Sequence, residues 1–249
     1  LAHAPTGLGK TASALTVAIK EAIEKEKRVF FLTNRHTQHQ IAVNTLKEMK
    51  KKGHNITCVD LIGKRWMCNQ EVAGLFSSDF NEYCKAVVEK GECEYYNNVK
   101  TKKGTSVSAQ LLLKELKQAG ALHTEELISL SKEKRMCGYE IATALAKDAT
   151  VIIGDYYYLF NPFVQATLFN KLELAMEDVI VIVDEGHNLP TRVADMVSNA
   201  LTTTMLKNAI QEAQKFHYNG LIMWLQDINK ILLDFAQFEG RDKEKLVTK

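Results

Sequence analysis

Two short stretches carry residues whose types and spacing could do chemistry. The first is Ala4-Pro5-Thr6-Gly7-Leu8-Gly9-Lys10-Thr11. Glycines without a Cβ let the backbone close on phosphate oxygens, Lys10 carries a charge toward the β- and γ-phosphates, and the Thr11 hydroxyl is a ligand for Mg²⁺. The second is Asp184-Glu185-Gly186-His187, directly after the apolar run 179–183. A carboxylate at the end of a buried parallel strand faces the ligand crevice of an open α/β sheet. Asp184 is therefore placed to hold Mg²⁺ and Glu185 to polarise an attacking water, while His187 either couples nucleotide state to the sheet or makes a local hydrogen bond. Phosphoryl transfer needs a phosphate cradle, a metal anchor and a water-positioning group. Lys10, Asp184, Glu185 and His187 are accordingly the candidate catalytic residues, and Ala4 to Thr11 the candidate ATP-binding ones.

Cys68, Cys84, Cys93 and Cys137 stand as C-x15-C-x8-C-x43-C. Structural zinc usually gathers close pairs such as C-x2-C, and none is present. Wide-set thiolates from separate loops suit an iron–sulfur cluster, in which each Cys binds a different iron. Zinc and unconnected thiols stay open on spacing alone. Cys58, between Thr57 and Val59, reads as a small buried hydrophobe.

These groups must be held by a scaffold, and the apolar pattern describes one. Residues 1–4, the glycine turn and the helical spacing of Ala12, Leu15, Ala18, Ile19, Ala22 and Ile23 read as strand, loop and helix. Residues 28–33 and 56–61 read as strands with a helix over 37–51 between them, and strands return at 150–154 and 178–183. Strands alternating with helices imply right-handed crossovers and a parallel sheet covered on both faces. Between residues 63 and 147 strand-like runs vanish and four of the five Cys appear, so this stretch reads as an insertion. The expected organisation is α/β: residues 1–62 and 148–200 form a parallel-sheet domain that carries the phosphate loop, 63–147 a mostly helical insertion, and 201–249 a helical segment with a frayed charged end. The 32 Lys and Arg nearly cancel the 30 Asp and Glu, so a nucleic-acid partner must be gripped by local patches. A 46% hydrophobic, 25% charged chain excludes disorder and low-complexity classes. No apolar run approaches the ~20 residues of a membrane span, and the first residues lack the form of a signal peptide; a soluble protein without a membrane partner, cytoplasmic or nuclear in a eukaryote, is expected. Because it opens at Leu1 with its chemistry in the first turn, the chain reads as a piece of a longer one.

The A-P-T-G-L-G-K-T loop, the D-E-G-H box and four Cys between them resemble the XPD family of superfamily 2 iron–sulfur DNA helicases. Asp155-Tyr156-Tyr157-Tyr158-Leu159-Phe160-Asn161-Pro162 is similar to the aromatic stretch before that family's acidic box. The resemblance covers the first 200 residues and implies that residues 1–62 and 148–200 form a parallel-sheet P-loop (RecA-like) motor domain. It implies an ATP-driven helicase acting 5′ to 3′ on single-stranded and fork DNA, with Mg-ATP at the loop and box. It also implies a 4Fe–4S cluster on Cys68, Cys84, Cys93 and Cys137, a second motor domain in the full-length chain, an arch domain beginning near Leu201, and repair or transcription factors as partners. Departures are Ala4 where the strict phosphate-loop pattern has Gly, Gly186 where Ala is usual, and a loose match at Thr33 to Gln40.

Strand contacts are expected from Arg35, which follows a strand end at the phosphate-loop edge. Lys64-Arg65-Trp66 pairs charge with a stacking surface, and Tyr156, with Tyr157 and Tyr158 beside it, could stack a base or pack a helix on the sheet. Lys100-Lys102-Lys103 and Lys132-Lys134-Arg135 are basic clusters that equally suit a solvated face. Two other functions fit the motifs: a P-loop ATPase with a redox-sensing Cys set, and a non-catalytic iron–sulfur DNA-binding scaffold. The intact Lys10, Asp184 and Glu185 weigh against the last.

Overall fold

The computed structural model describes residues 8–72, 74–198 and 200–235. The expected strand at 1–4, the loop residues Ala4, Pro5, Thr6 and Gly7, and the charged end 241–249 lie outside them. Two compact units divide the chain, residues 1–196 and 197–249.

In the first unit, helix α1 (Lys10–Glu24) is followed by β1 (Arg28–Leu32), α2 (His36–Lys51) and β2 (Cys58–Asp60). Next come α3 (Ser77–Glu89), α4 (Glu94–Asn97), a two-residue ribbon of β3 (Lys100–Thr101) and β4 (Gly104–Thr105), and the helices α5 (Val107–Ala119), α6 (Thr124–Glu133) and α7 (Gly138–Ala146). The pattern then returns to β5 (Val151–Gly154), α8 (Tyr157–Phe160), α9 (Pro162–Leu172), β6 (Val179–Val183) and α10 (Leu189–Val197). The sheet order is β2-β5-β1-β6, all parallel. Phe31 sits beside Ile153 on one side and Ile182 on the other, which fixes the register.

Strand side chains alternate between two cores, as a period of two requires. Val29, Phe31, Cys58, Val151 and Ile153 pack with Leu15, Ile19, Val43 and Leu46 of α1 and α2. Phe30, Leu32, Val59 and Ile152 face the other way, against Leu112, Leu116, Leu127, Ile141 and Leu145 of α5, α6 and α7, together with Leu168 and Phe169 of α9. The helices of the 63–147 stretch thus form part of the second layer over the sheet, sharing its core. Cys58 is a fully buried thiol in the first core, the role expected for it.

Local sequence sets the helix starts. Ser106 accepts the Ala109 N–H at 3.1 Å to cap α5, and Asn161 accepts from Phe163 and Val164 ahead of α9, whose first residue is Pro162. The second unit is a pair of helices, α11 (Thr203–Lys215), capped by Thr202, and α12 (Asn219–Phe235), with Leu206 and Ala213 buried. Among the described residues no helix is long and apolar enough to cross a membrane.

Candidate functional site: one sheet edge, a cleft and a four-thiol cavity

Parallel strands put all their C-terminal ends on one edge, and the predicted residues leave the sheet there. The ladder runs one step past β6, where the Asp184 N–H donates to the Leu32 carbonyl at 2.8 Å. Asp184 follows directly, half-buried. Burial pushes its carboxyl above the ordinary carboxylate range, the Glu185 charge adds to this, and the Lys10 ammonium opposes it. Lys10 opens α1 after Gly9, whose φ of 75° suits a residue without a side chain. The loop lysine and the acidic pair therefore share one neighbourhood, with Thr11 in the same first turn. His187 is exposed, its Nδ1 3.4 Å from Glu185 Oε2.

Glu185 has φ 51° and ψ 42°, a left-handed conformation that a non-glycine residue holds only when its surroundings impose it. Its carbonyl is the reason it holds: the Asn188 N–H donates to it at 2.9 Å, Asn188 Nδ2 at 3.2 Å and the Tyr156 hydroxyl at 3.0 Å. The same hydroxyl also donates to the Asp184 carbonyl. Tyr156 is completely buried, which corrects its assignment as a strand contact, since a ring with no exposed surface has none to offer a base. Burial, with the charges of Asp184 and Glu185, pushes its phenol up to about 12, so it remains a donor.

Its neighbour Tyr157 is 45% exposed. It lines a cleft of about 590 Å³ with Arg35, Lys64 and Trp66, so three of the predicted strand contacts share one surface. Arg65 does not line it: its guanidinium lies over the Trp66 ring at 4.3 Å and donates to the Leu75 carbonyl. Tyr158, the third of the run, donates to the Ile62 carbonyl at 2.6 Å and packs against Gly154, where an added Cβ would lie 2.9 Å from the ring.

The cleft floor holds a buried polar cluster that the sequence did not announce. His39 Nδ1 and Asp60 Oδ1 are 2.5 Å apart, and Thr124 donates its N–H to Asp60 Oδ2 at 3.2 Å and its hydroxyl to the Asp60 carbonyl at 2.7 Å. Burial alone would raise the Asp60 pKa, but the hydrogen bond and charge of His39 and the two bonds from Thr124 outweigh it, and the carboxyl lies below its ordinary value. Such a group stabilises the fold above the ordinary carboxylate range, about pH 4, and loses that contribution as pH falls through its folded pKa. Asp60→Asn is therefore expected to flatten the acid limb of the stability curve below about pH 4, read from urea midpoints at pH 3 to 7.

Cys68, Cys84, Cys93 and Cys137 line one water-sized cavity of about 20 Å³. Burial raises the Cys68 thiol pKa, with Cys84 and Cys93 adding to it, and pushes Cys137 up to about 12, with Glu140, Cys68 and Cys93 adding to it. Among the described residues no group of three or more His, Cys, Asp or Glu is placed to hold a metal ion. The donor chemistry nevertheless fits a group bound through four thiolates, because no carboxylate or imidazole lines the cavity. Lys64 lines both cavity and cleft. Burial would lower its pKa, but the hydrogen bond to Cys84 and the charges of Cys84, Glu140 and Cys137 outweigh it and raise it.

Three supporting residues escaped the sequence reading. Gln70 Nε2 donates to Cys93 Sγ at 3.1 Å, and the Tyr83 hydroxyl donates to Gln70 Oε1 at 2.7 Å. At Gly138 an added Cβ would lie 2.8 Å from the Met67 carbonyl, so the missing side chain lets the Cys137 segment approach the Cys68 segment. Gly138 alone carried a signal, a glycine directly after a candidate ligand.

Comparison with known proteins agrees with this picture. The chain is 28% identical over 200 residues to the Fanconi anemia group J protein homolog of Gallus gallus, covering 78% of this chain and 15% of that protein. It is 25% identical over 190 residues to the regulator of telomere elongation helicase 1 homolog of Caenorhabditis elegans, covering 75% of this chain and 18% of that protein. To the general transcription and DNA repair factor IIH helicase subunit XPD/RAD3 of Saccharomyces cerevisiae it is 23% identical over 252 residues, 91% of this chain and 30% of that protein. The chain thus spans less than a third of these relatives. A solved XPD helicase superposes with a TM-score of 0.58 at 22% identity, over 90% of this chain and 36% of that one, and shares the fold. The profile of the DEAD_2 family matches residues 31–206, a span that takes in the Arg35 loop, the four thiols and the acidic pair, and the chain belongs to that family, within the XPD-like superfamily 2 helicases.

Proposed function

We propose that the chain is the ATP- and strand-binding part of a DNA helicase that couples ATP hydrolysis to 5′ to 3′ movement on single-stranded DNA and to separation of a fork, in DNA repair. The observation that carries this reading is the arrangement on one sheet edge: Lys10 within the charge field of Asp184, and the Arg35, Lys64 and Trp66 cleft opening beside Tyr157. Lys10 and the N–H groups of the first turn of α1 hold phosphate oxygens. Thr11 and Asp184 hold the Mg²⁺ that accompanies ATP, and Glu185 takes the proton of the attacking water. Arg35 and Lys64 hold strand phosphates, while Tyr157 and Trp66 offer faces to bases. His187 lies close enough to Glu185 to share its charge.

Cys68, Cys84, Cys93 and Cys137 hold a 4Fe–4S cluster in this reading. When bound, the cluster cross-links four separate stretches of chain, and Gln70 supports it through its hydrogen bond to Cys93. The reading includes a second motor domain in the same polypeptide, which supplies the remaining charge for turnover, an arch that begins with α11, and repair or transcription factors as partners. It works in the cytoplasm, or in the nucleus of a eukaryote.

The test is ATP hydrolysis by the full-length protein with and without a single-stranded oligonucleotide. Hydrolysis is expected to rise with the oligonucleotide, and Lys10→Ala to lower it by about 10²–10³-fold, the usual loss when one preorganised charge contact is removed. Equal turnover with and without DNA, or full activity in the Lys10 variant, overturns the reading.

A further inference from the structure

Three consecutive tyrosines follow β5, and the structure gives each a different task. Tyr156 is buried and its hydroxyl proton is shared between the Asp184 and Glu185 carbonyls. Tyr157 faces the strand cleft, and Tyr158 holds the Ile62 carbonyl, at the start of the loop that leads through Lys64 to Cys68. All three sit on one short turn. The Tyr158 N–H donates to the Asp155 carbonyl at 3.0 Å, the Phe160 N–H to the Tyr156 carbonyl at 2.9 Å, and the Tyr157 N–H to Asp155 Oδ1 at 2.8 Å. A turn closed this way moves as one piece, so a change at Tyr157 reaches its neighbours through fixed backbone bonds.

What Tyr156 grips is sensitive to being moved. Glu185 sits in the left-handed region, a conformation that costs a non-glycine residue free energy and lasts only while its neighbours enforce it. Two groups reach its carbonyl from other residues, the Tyr156 hydroxyl and the Asn188 donors. Loosening either frees the Glu185 peptide to rotate out of this conformation, and the side chain beside it turns with it.

We propose that Tyr156 is a positioning residue for the acidic pair, and that its bond to the Asp184–Glu185 peptide, carried on the same turn as the cleft-facing Tyr157, makes ATP turnover answer to a strand seated in the cleft. This rests on the helicase reading above. A base seated on Tyr157 bears on this turn, and the turn carries the Tyr156 hydroxyl that holds the acidic loop. The tyrosine segment thus joins the cleft to the acidic loop by one step along the chain and one hydrogen-bonding hydroxyl.

The experiment uses the full-length protein, an unlabelled oligo-dT for stimulation and a fluorescent oligo-dT for affinity. Tyr156→Phe removes the hydroxyl and keeps the ring. Loss of one such bond is expected to lower kcat at saturating oligo-dT by about 3–10-fold, with the KM for ATP and the Kd for oligo-dT unchanged. Asn188→Ala, which removes the side-chain donor from the same carbonyl, is expected to lower kcat in the same sense, and it keeps the test alive if Tyr156→Phe folds poorly. A merely structural tyrosine would lower the melting temperature and leave kcat and stimulation at the wild-type level, and that result overturns the proposal. A rise in KM with kcat intact overturns it as well. Stimulation lost in the variant but present in the wild type supports the coupling; stimulation absent in the wild type removes the helicase reading itself, and the link to the cleft with it.

Discussion

Glu185→Gln in the full-length protein is expected to bind Mg-ATP with unchanged affinity and to hydrolyse it about 10²–10⁴-fold more slowly, the usual contribution of a positioned general base. The substitution keeps the side chain's size and its backbone contacts with Asn188 and Tyr156, while removing the carboxylate that accepts a proton. It also removes the Glu185 charge, which helps raise the Asp184 pKa, so Asp184 becomes more readily ionised in the variant. Metal and nucleotide binding should therefore hold or improve while turnover collapses. Single-turnover hydrolysis and nucleotide titration on the same preparation separate the two effects, and a parallel loss of affinity would show that Glu185 holds the metal and does not act on water.

The second large effect is expected at the thiol cavity. Cys84→Ser should take bound iron from about four per chain to near zero, together with the broad absorbance near 400 nm of thiolate-bound clusters, and abolish strand separation. The reason lies in how its segment is held. Helix α3 contributes no residue to either of the two cores that sandwich the sheet. Its Phe80 is buried and its Tyr83 reaches Gln70, all beside the cavity. Without a cluster α3 would lose its main cross-link, whereas α7, carrying Ile141 and Leu145, stays packed on the sheet, and α4 keeps the bond from the Cys137 N–H to the Tyr95 carbonyl. Mg-ATP binding should survive, and protease cutting between residues 70 and 97 should rise. Full unwinding by an iron-free Cys84→Ser protein would remove the cluster from the mechanism.

Much of this was legible in the sequence because it rests on local order. Dense apolar runs named β1, β5 and β6 closely, and the run at 56–61 shrank to Cys58–Asp60 in the sheet. The order β2-β5-β1-β6 was not legible, since pairing of β1 with β5 depends on residues far apart in the chain. The loss of strand-like runs over 63–147 marked an insertion but not that its helices share the core of the sheet. Leu112, Leu116, Leu127, Ile141 and Leu145 have helical spacing, but a helical stripe does not say which surface it covers. At the site, the four widely spaced thiols line one cavity. The three tyrosines could not be told apart as letters, because a single helical turn decides that Tyr156 and Tyr158 go inward and Tyr157 outward. His39 and Asp60 were equally mute, being separated by α2 and the loop after it.

The shared core has a consequence for engineering and for descent. Leu112, Leu127 and Leu145 share one core with Phe30, Val59 and Ile152, so deleting residues 63–147 would strip part of one face of the sheet, and transplanting them elsewhere would leave their own apolar stripes bare. The thiol-bearing stretch is portable only in its outer part, around α3 and α4, whereas α5 to α7 share the core of the parallel sheet. Chimeras that exchange this stretch should therefore be cut inside it, near residues 69 and 98, and not at its ends.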